Sequence, residues 1–359
     1  MNKFWKDIHW PILFLSIAVT VSSFFFIYSA TFRGPESYMI KQLTWLGLAL
    51  GAFWIVVILG YRKFLNISYF LYWLSIGFLI VVLFLGHTRN GAQRWLQIGA
   101  FALQPSEFCK LATILVLAQF LAEGTRRLSQ KRSLILSALM VVLPFVLIIK
   151  QPDLGTALLF IPMLVGMLFV WGIRLRYLTS IFLAGCASLP FLWSMLKPYQ
   201  QKRLLVFLNP DADPLGSGYT AVQSKIAVGS GGLIGKGWLH GSQTQLDFVP
   251  EHHTDFIFCG VGEEFGFLGS LLLVLLFTSL LGYFLQIVER TTDVRARILA
   301  SGISFVFLFQ VMINIGMTIG LAPITGITLP LVSYGGSSLI ATYMAVGFLA
   351  SIYKERSIF

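Results

Sequence analysis

The chain has 359 residues, 57% of them hydrophobic and only 11% charged, with a mean hydropathy of +0.80 and a formal net charge of +11. Soluble globular domains carry roughly 25% charged residues, so this composition excludes a soluble domain and defines an integral membrane protein. Three cysteines, an odd number, give no disulfide framework.

A bilayer core about 30 Å thick takes about 20 apolar residues per helix. Such stretches are predicted at about 10–31, 40–60, 66–86, 107–122, 133–150, 154–172, 178–196, 264–287, 298–321 and 337–353. Strand-like alternation is absent, so the predicted fold class is all-α, a polytopic protein of about ten transmembrane helices rather than a barrel. The first stretch ends in Ser29, Ala30 and Thr31, loosely like a signal cleavage site. Its apolar core is long for a leader and matches nine others, so it is expected to be retained. Cys109, Cys186 and Cys259 lie in or beside apolar stretches and read as small core residues.

Basic residues orient these helices. With the amino terminus inside, the inner connections 1–9, 61–65, 123–132, 173–177, 288–297 and 354–359 hold 15 Lys and Arg against five acidic residues, whereas the remainder is nearly neutral. Both termini are therefore expected on the cytoplasmic side. Topology and anionic membrane lipids account for the basic excess, and no nucleic acid is implied.

Most connections are short, but two are not. Residues 87–106 and 197–263 both fall on the predicted outer side, and the second, between helices seven and eight, is long enough for short helices of its own. No repeat, low-complexity tract or soluble domain is evident, so residues 1–359 read as a single membrane domain with an external cap at 197–263.

Polar residues gather toward that outer side. Glu107 and Lys110 are three apart at the start of the fourth helix, Lys150 and Asp153 bracket the next outer turn, and Asp255 precedes the eighth helix. Ionisable groups bordering membrane helices mark sites, although Glu107 with Lys110 also reads as a structural ion pair. In the long loop, the glycines of 223–237 with Lys225 and Lys236 could gather an anion or form a plain turn. The stretch PEHHTDFIF, 250–258, sets Glu251, His252, His253, Thr254 and Asp255 against Phe256, Ile257 and Phe258. Adjacent histidines project in different directions, so a metal site is disfavoured. No serine sits in a nucleophile elbow. One carboxylate in a partly dry setting suits a general base, with a pKa raised by burial or lowered by a nearby cation.

Four stretches, NGAQRWLQIG with QPSEFCK (90–99, 104–110), QPDLGTA (151–157), the run 210–266 through PEHHTDFIFCGVGEEFG, and GITLPLVSYGGSS (326–338), resemble the signature motifs of the SEDS family (shape, elongation, division and sporulation). The short ends favour its elongation branch over its division branch. The resemblance implies a peptidoglycan glycosyltransferase that joins lipid II units at the outer face of the bacterial cytoplasmic membrane, beside a class B penicillin-binding protein that cross-links the product. It implies that Asp255 is the catalytic residue, with Glu107 and Lys110 placed near it. Candidate substrate partners are Arg94, Trp95, Lys202, Arg203, Lys225, Lys236 and His253. Glu251, Glu263 and Glu264 stay open as a second carboxylate for a retaining mechanism. No cofactor is called for with certainty, and a divalent cation such as Mg2+ is left open.

The rival reading is a transporter, either a lipid II flippase or an ion-coupled carrier. Carriers place binding groups at the bilayer midplane, whereas these gather at one boundary. A non-catalytic scaffold would leave the polar cluster unexplained. Small residues Gly282, Ser301, Gly302 and Ser304 on helices eight and nine offer a dock for a partner helix or internal packing.

Overall fold

The computed structural model describes residues 9–32, 37–89, 92–98, 101–124, 129–196, 198–210, 213 and 216–356. The inner connections 1–9, 123–132 and 354–359 and the Asn-Pro-Asp run after Leu208 lie partly outside these residues, as does the Cys186 side chain. The long helices are α1 (Trp10–Ala30), α2 (Ser37–Leu59), α4 (Ser68–Leu85), α5 (Pro105–Gly124), α6 (Gln130–Lys150), α9 (Leu175–Met195), α13 (Ile257–Arg290), α14 (Val294–Thr318) and α15 (Gly336–Arg356). A short α3 (Tyr61–Asn66) joins α2 to α4, and α7 (Leu154–Leu158) runs on into α8 (Phe160–Trp171). Among the described residues nine spans, α7 with α8 counted as one, are long and apolar enough to cross a membrane. The tenth expected segment, 178–196, falls within α9. The protein is a multi-pass helical membrane protein.

Helix α5 sits at the centre, with 83% of its apolar window buried, whereas most outer helices bury less than half of theirs. It contacts α4, α6, α14 and α15, and α15 lies along α2. Small side chains let the helices close on one another, since lipid supplies no hydrophobic drive between them. A Cβ on Gly302 would sit 2.8 Å from Ile114 Cγ2 of α5 and Met167 Sδ of α8. Ser301 and Ser304 are buried beside it. Of the two readings of these small residues, the face of α14 around Gly302 fits internal packing; Gly282 on α13 is open.

Two non-helical regions differ from simple connections. Three strands, β1 (His87–Arg89), β2 (Ala92–Ile98) and β3 (Phe101–Leu103), form an antiparallel sheet in that spatial order. The segment 197–256 carries α10 (Pro198–Leu208), α11 (Ser217–Ser230) and a four-residue turn of helix, α12 (Ser242–Gln245).

Helix α13 begins seven residues before the expected 264–287 segment and is broken at Gly266 (φ 64°, ψ −157°). The polar pair Glu263 and Glu264 hides these first two turns from a hydropathy reading. Loop residues 232–237 satisfy the break: Lys236 N donates to Glu263 O (3.0 Å), Gly237 N to Glu264 O (3.0 Å), Phe267 N to Gly232 O (2.9 Å) and Leu268 N to Leu233 O (3.0 Å). A broken membrane helix needs such partners, because lipid offers none. Only glycine fits here, since a Cβ would lie 2.3 Å from Gly235 N.

Gly302→Leu is expected to force α14 away from α5 and α8 and to cost at least the roughly 1–3 kcal/mol of an overpacked core. Thermal melting in detergent should show a lower midpoint, and an unchanged midpoint would restore the docking reading.

Candidate active site

Asp255 closes a turn, 251–256, that delivers the chain into α13. Phe256, Ile257 and Phe258 behind it are buried and anchor the turn in the core. The turn folds on itself through Thr254 N and Phe256 N, which donate to Glu251 O at 3.1 and 3.2 Å. Three consecutive carbonyls then face outward and are each taken. Tyr334 N donates to His253 O (3.1 Å), Ser333 Oγ to Thr254 O (2.6 Å) and Asn314 Nδ2 to Asp255 O (2.8 Å). The same Asn314 nitrogen donates to Ile327 O at 2.6 Å. The turn is thus held by its backbone. Among the described residues no hydrogen bond or ion pair holds the Asp255 carboxylate, which is half-buried.

Arg94 reaches this carboxylate from the small sheet. His87 pairs with Trp95 and Thr88 with Gln93, so Arg94 is an extra residue bulged out of β2. Bulges re-aim side chains, and this one turns Arg94 into the bundle. Arg94 Nη1 lies 3.3 Å from Asp153 Oδ1, whose side chain is completely buried. Asp153 also accepts from Gln104 Nε2 (3.1 Å), Thr156 N (3.2 Å) and Thr156 Oγ1 (3.0 Å), capping α7. Gly326 completes the floor: a Cβ there would be 3.4 Å from Asp255 Oδ2 and 4.0 Å from Arg94 Nη2.

Burial pushes the Asp255 carboxyl up to about 6, Arg94 opposes that rise most, Glu251 and Asp153 add to it, and Arg203 works against it. The cations that tune Asp255 are therefore arginines. Lys110, expected beside the aspartate, is not among the charges acting most strongly on it. It pairs with Glu107 at 3.0 Å, both buried, and contacts Gln310 Oε1 at 3.4 Å. Gln310 Nε2 in turn donates to Thr328 O (3.1 Å), in the segment between α14 and α15 that holds Ile327 and Ser333. Glu107 and Lys110 thus brace the site from below, at the polar end of a small apolar cavity among α5, α13, α14 and α15.

The remaining candidates separate. His253 packs against Tyr38 (ring centroids 5.1 Å) and His252 (5.6 Å), and burial, with His252 next, lowers its pKa. It is a neutral aromatic support. Trp95 pairs with His87 in the sheet and makes no described polar contact with Asp255. Lys202 is paired with Asp213 at 3.0 Å, and Lys236 with Glu263 at 2.7 Å and Ser242 Oγ at 3.0 Å. Lys236 is thus a loop fastener, which corrects its assignment to substrate. Arg203 and Lys225 line one cavity together.

Of the spare carboxylates, Glu263 accepts from Lys236, Ser242, Gln243 N and the Thr244 amide and hydroxyl. Glu264 accepts from the Ser29 hydroxyl and is buried. Glu251 accepts from Thr254 Oγ1 (3.0 Å). The first two hold the loop to α13 and are not poised as nucleophiles. Among the described residues no three His, Cys, Asp or Glu side chains are placed to hold a metal ion.

Sequence reading underrated Arg94 and missed its bulge, Asp153 as its partner, and Asn314. A Gln-Pro-Asp turn facing a Trp-flanked arginine carried a signal for the pair, but a buried helix asparagine carried none.

A helical membrane protein with one unpaired carboxylate at the rim of its bundle, set between a guanidinium and a tightly bonded loop, has the makings of a membrane-embedded general-base enzyme. A family model of the FtsW/RodA/SpoVE cell cycle proteins matches residues 7–358, and the chain belongs to this family. It is 37% identical to the peptidoglycan glycosyltransferase MrdB of Escherichia coli (strain K12), over 99% of this chain and 96% of that protein. To the stage V sporulation protein E of Bacillus subtilis (strain 168) it is 40% identical over 90% of each. A chain solved in a study of the structural coordination of polymerization and crosslinking by a peptidoglycan synthase complex superposes with a TM-score of 0.85. It is 32% identical, over 97% of this chain and 98% of that one.

Because Arg94 lowers the Asp255 pKa, Arg94→Gln is expected to raise it, and the loss of Asp153's partner pushes the same way. A base must be ionised to act, so the rising limb of the kcat/KM profile, expected near pH 6, should move to higher pH in that variant. Lys110→Met should lower activity without moving the limb. A limb that moves for Lys110 and not for Arg94 would reverse the assignment.

Proposed function

We propose that the chain is a peptidoglycan glycosyltransferase that polymerises lipid II during cell elongation, with Asp255 as its general base. The observation that carries this reading is the Asp255 carboxylate: fixed through its backbone, unpaired, and raised to about 6. It is ionised at neutral pH yet basic enough to take a proton, the compromise general-base catalysis favours.

A sugar hydroxyl of the acceptor gives its proton to Asp255 as its oxygen attacks the anomeric carbon of the donor. The bond from that carbon to the lipid diphosphate breaks, and its electron pair leaves with the diphosphate. One base suffices for this inversion, whereas retention needs a second carboxylate as nucleophile. Glu263 is occupied with Lys236 of the loop and Glu264 with Ser29 of α1. Arg94, held in place by Asp153, supplies positive charge beside the reacting groups.

The basic inner connections support a placement in the cytoplasmic membrane with both termini inside and the Asp255 end of the bundle outside. That side is where lipid II polymers grow. The likeness to a chain of a synthase complex supports a class B penicillin-binding protein as partner.

Asp255→Asn should leave the fold intact and lower polymerisation of lipid II by the purified protein about 10²–10⁴-fold. Polymerisation near the wild-type rate would sink the assignment. Orientation is tested separately. In a background without Cys109, Cys186 and Cys259, Ser230→Cys should react with an impermeant thiol reagent on intact cells, and Ser129→Cys only after permeabilisation; the reverse pattern overturns the outer-face site.

A further inference from the structure

The loop 231–237 lies lower on α13 than a connection between two short extramembrane helices requires. At 1.5 Å per residue, residues 267–287 span about 30 Å, the thickness of a bilayer core, so the break at Gly266 falls at the edge of the hydrocarbon. The loop is bonded on both sides of that edge. Lys236 N and Gly237 N donate to Glu263 O and Glu264 O on its Asp255 side, and Phe267 N and Leu268 N donate to Gly232 O and Leu233 O on its membrane side. The approach is backbone to backbone, since a Cβ on Gly231 would lie 2.0 Å from Gly262 O and one on Gly235 2.1 Å from Glu264 O.

The side chains follow the same division. Lys236, the one charged residue of the loop, turns back to Glu263 and Ser242, whereas Leu233 and Ile234 at the apex are 72% and 78% exposed. Phe267, Leu268 and Leu272 are exposed on the adjoining turns of α13. Trp238, next along the chain, donates its indole N–H to Phe25 O of α1 (3.2 Å) and packs on the Phe25 and Tyr28 rings at 6.1 and 5.7 Å. Phe25 lies five residues before the end of α1, at the level where membrane proteins gather Trp and Tyr.

We propose that the loop 231–238 is seated in the lipid leaflet at the Asp255 end of the bundle, with Leu233 and Ile234 among the acyl chains and Trp238 at the headgroup boundary. A solvated loop has no cause to project two aliphatic side chains from its tip, and contiguous exposed apolar surface marks a contact. Lipid fits this contact better than a partner protein does. The apex continues the lipid-facing surface of α13 and carries no polar side chain for a partner to recognise. Its carbonyls at Gly231, Gly232 and Leu233 are each paired within the protein, as hydrocarbon demands. Through its four bonds to the break, the seated loop sets the height of the first two turns of α13 and of the Asp255 turn that leads into them. The contact requires only the multi-pass membrane fold and does not depend on the reaction proposed above.

The test is the depth of a nitroxide attached to Ile234→Cys in the full chain, in the background without Cys109, Cys186 and Cys259, reconstituted in vesicles of phosphatidylethanolamine and phosphatidylglycerol. Collision rates are measured with oxygen, which concentrates in hydrocarbon, and with a water-soluble nickel chelate. Leu272→Cys is the lipid reference and Ser230→Cys the aqueous one. The oxygen-to-nickel ratio at Ile234→Cys should stand several-fold above that at Ser230→Cys and match that at Leu272→Cys. Leu233→Cys gives the same reading should the first variant fold poorly. A ratio equal to that of Ser230→Cys would put the loop in water and overturn the proposal. So would a label shielded from both reagents, which would mean that a second copy of the chain covers the apex. In cells, a benzophenone side chain placed at position 234 should form no discrete protein adduct on illumination, and an adduct of defined higher mass would replace lipid by a partner protein.

Discussion

One side-chain amide organises the reactive end of this bundle. Asn314, fully buried in α14, gives both hydrogens of its Nδ2 to backbone carbonyls, Asp255 O and Ile327 O. Both acceptors belong to non-helical chain at the end of a membrane bundle, where each carbonyl must be paired within the protein. Without the amide, two buried carbonyls lose their donor, at a cost of about 1–3 kcal/mol each. The bond also has a consequence for chemistry. It fixes the aspartate by its carbonyl, so the carboxylate need not be pinned by a cation that would depress its basicity.

The rest of the site is built outward from that bond. Ile327 lies in the segment that also gives Ser333 and Tyr334 to the neighbouring carbonyls of the turn. Gln310, one helical turn before Asn314, holds the Thr328 carbonyl and reaches Lys110. The ion pair of α5 thus bears on Asp255 through the backbone of one segment, and its charge matters less than its place. Breaking a buried pair by removing one partner costs about 3–5 kcal/mol, which makes stability and activity fall together for either residue. A second anchor operates at the Gly266 break, where five donors around Glu263 fasten the loop to α13. These two carboxylates look catalytic in a sequence and act as fasteners in the fold.

How much could be read in advance follows from which forces act locally. Twenty apolar residues specify a membrane helix by themselves, so each of the ten stretches coincides with helix, and their ends shift by only a few residues. The exception is α13, which carries Glu263 and Glu264 at the end of its second turn. Hydropathy counts them as exterior because it cannot see the donors that a loop 20 residues upstream brings to them. The sheet at 87–103 was equally hidden, since a three-stranded ribbon with a bulge has no clean alternation. Asp255 was legible because a carboxylate among Phe256, Ile257 and Phe258 is costly and calls for a reason. Its partners were not, because pairing Arg94 with Asp153 joins residues 59 positions apart. Gly302 shows the same limit for packing: small residues announce a close approach and not with whom.

The distribution of positive charge around Asp255 makes chemical sense of the separation. Were a lysine or arginine bonded directly to the carboxylate, its pKa would fall well below the ordinary carboxylate range and proton uptake would be unfavourable. Were there no cation nearby, burial would raise it further. Arg94 and Arg203 act from a distance and hold the balance near 6. The larger of the two opposing charges is itself anchored: Arg94 is tied to the fully buried Asp153, so the positive charge that tempers the rise keeps a fixed place relative to a turn that Asn314 fixes by its backbone.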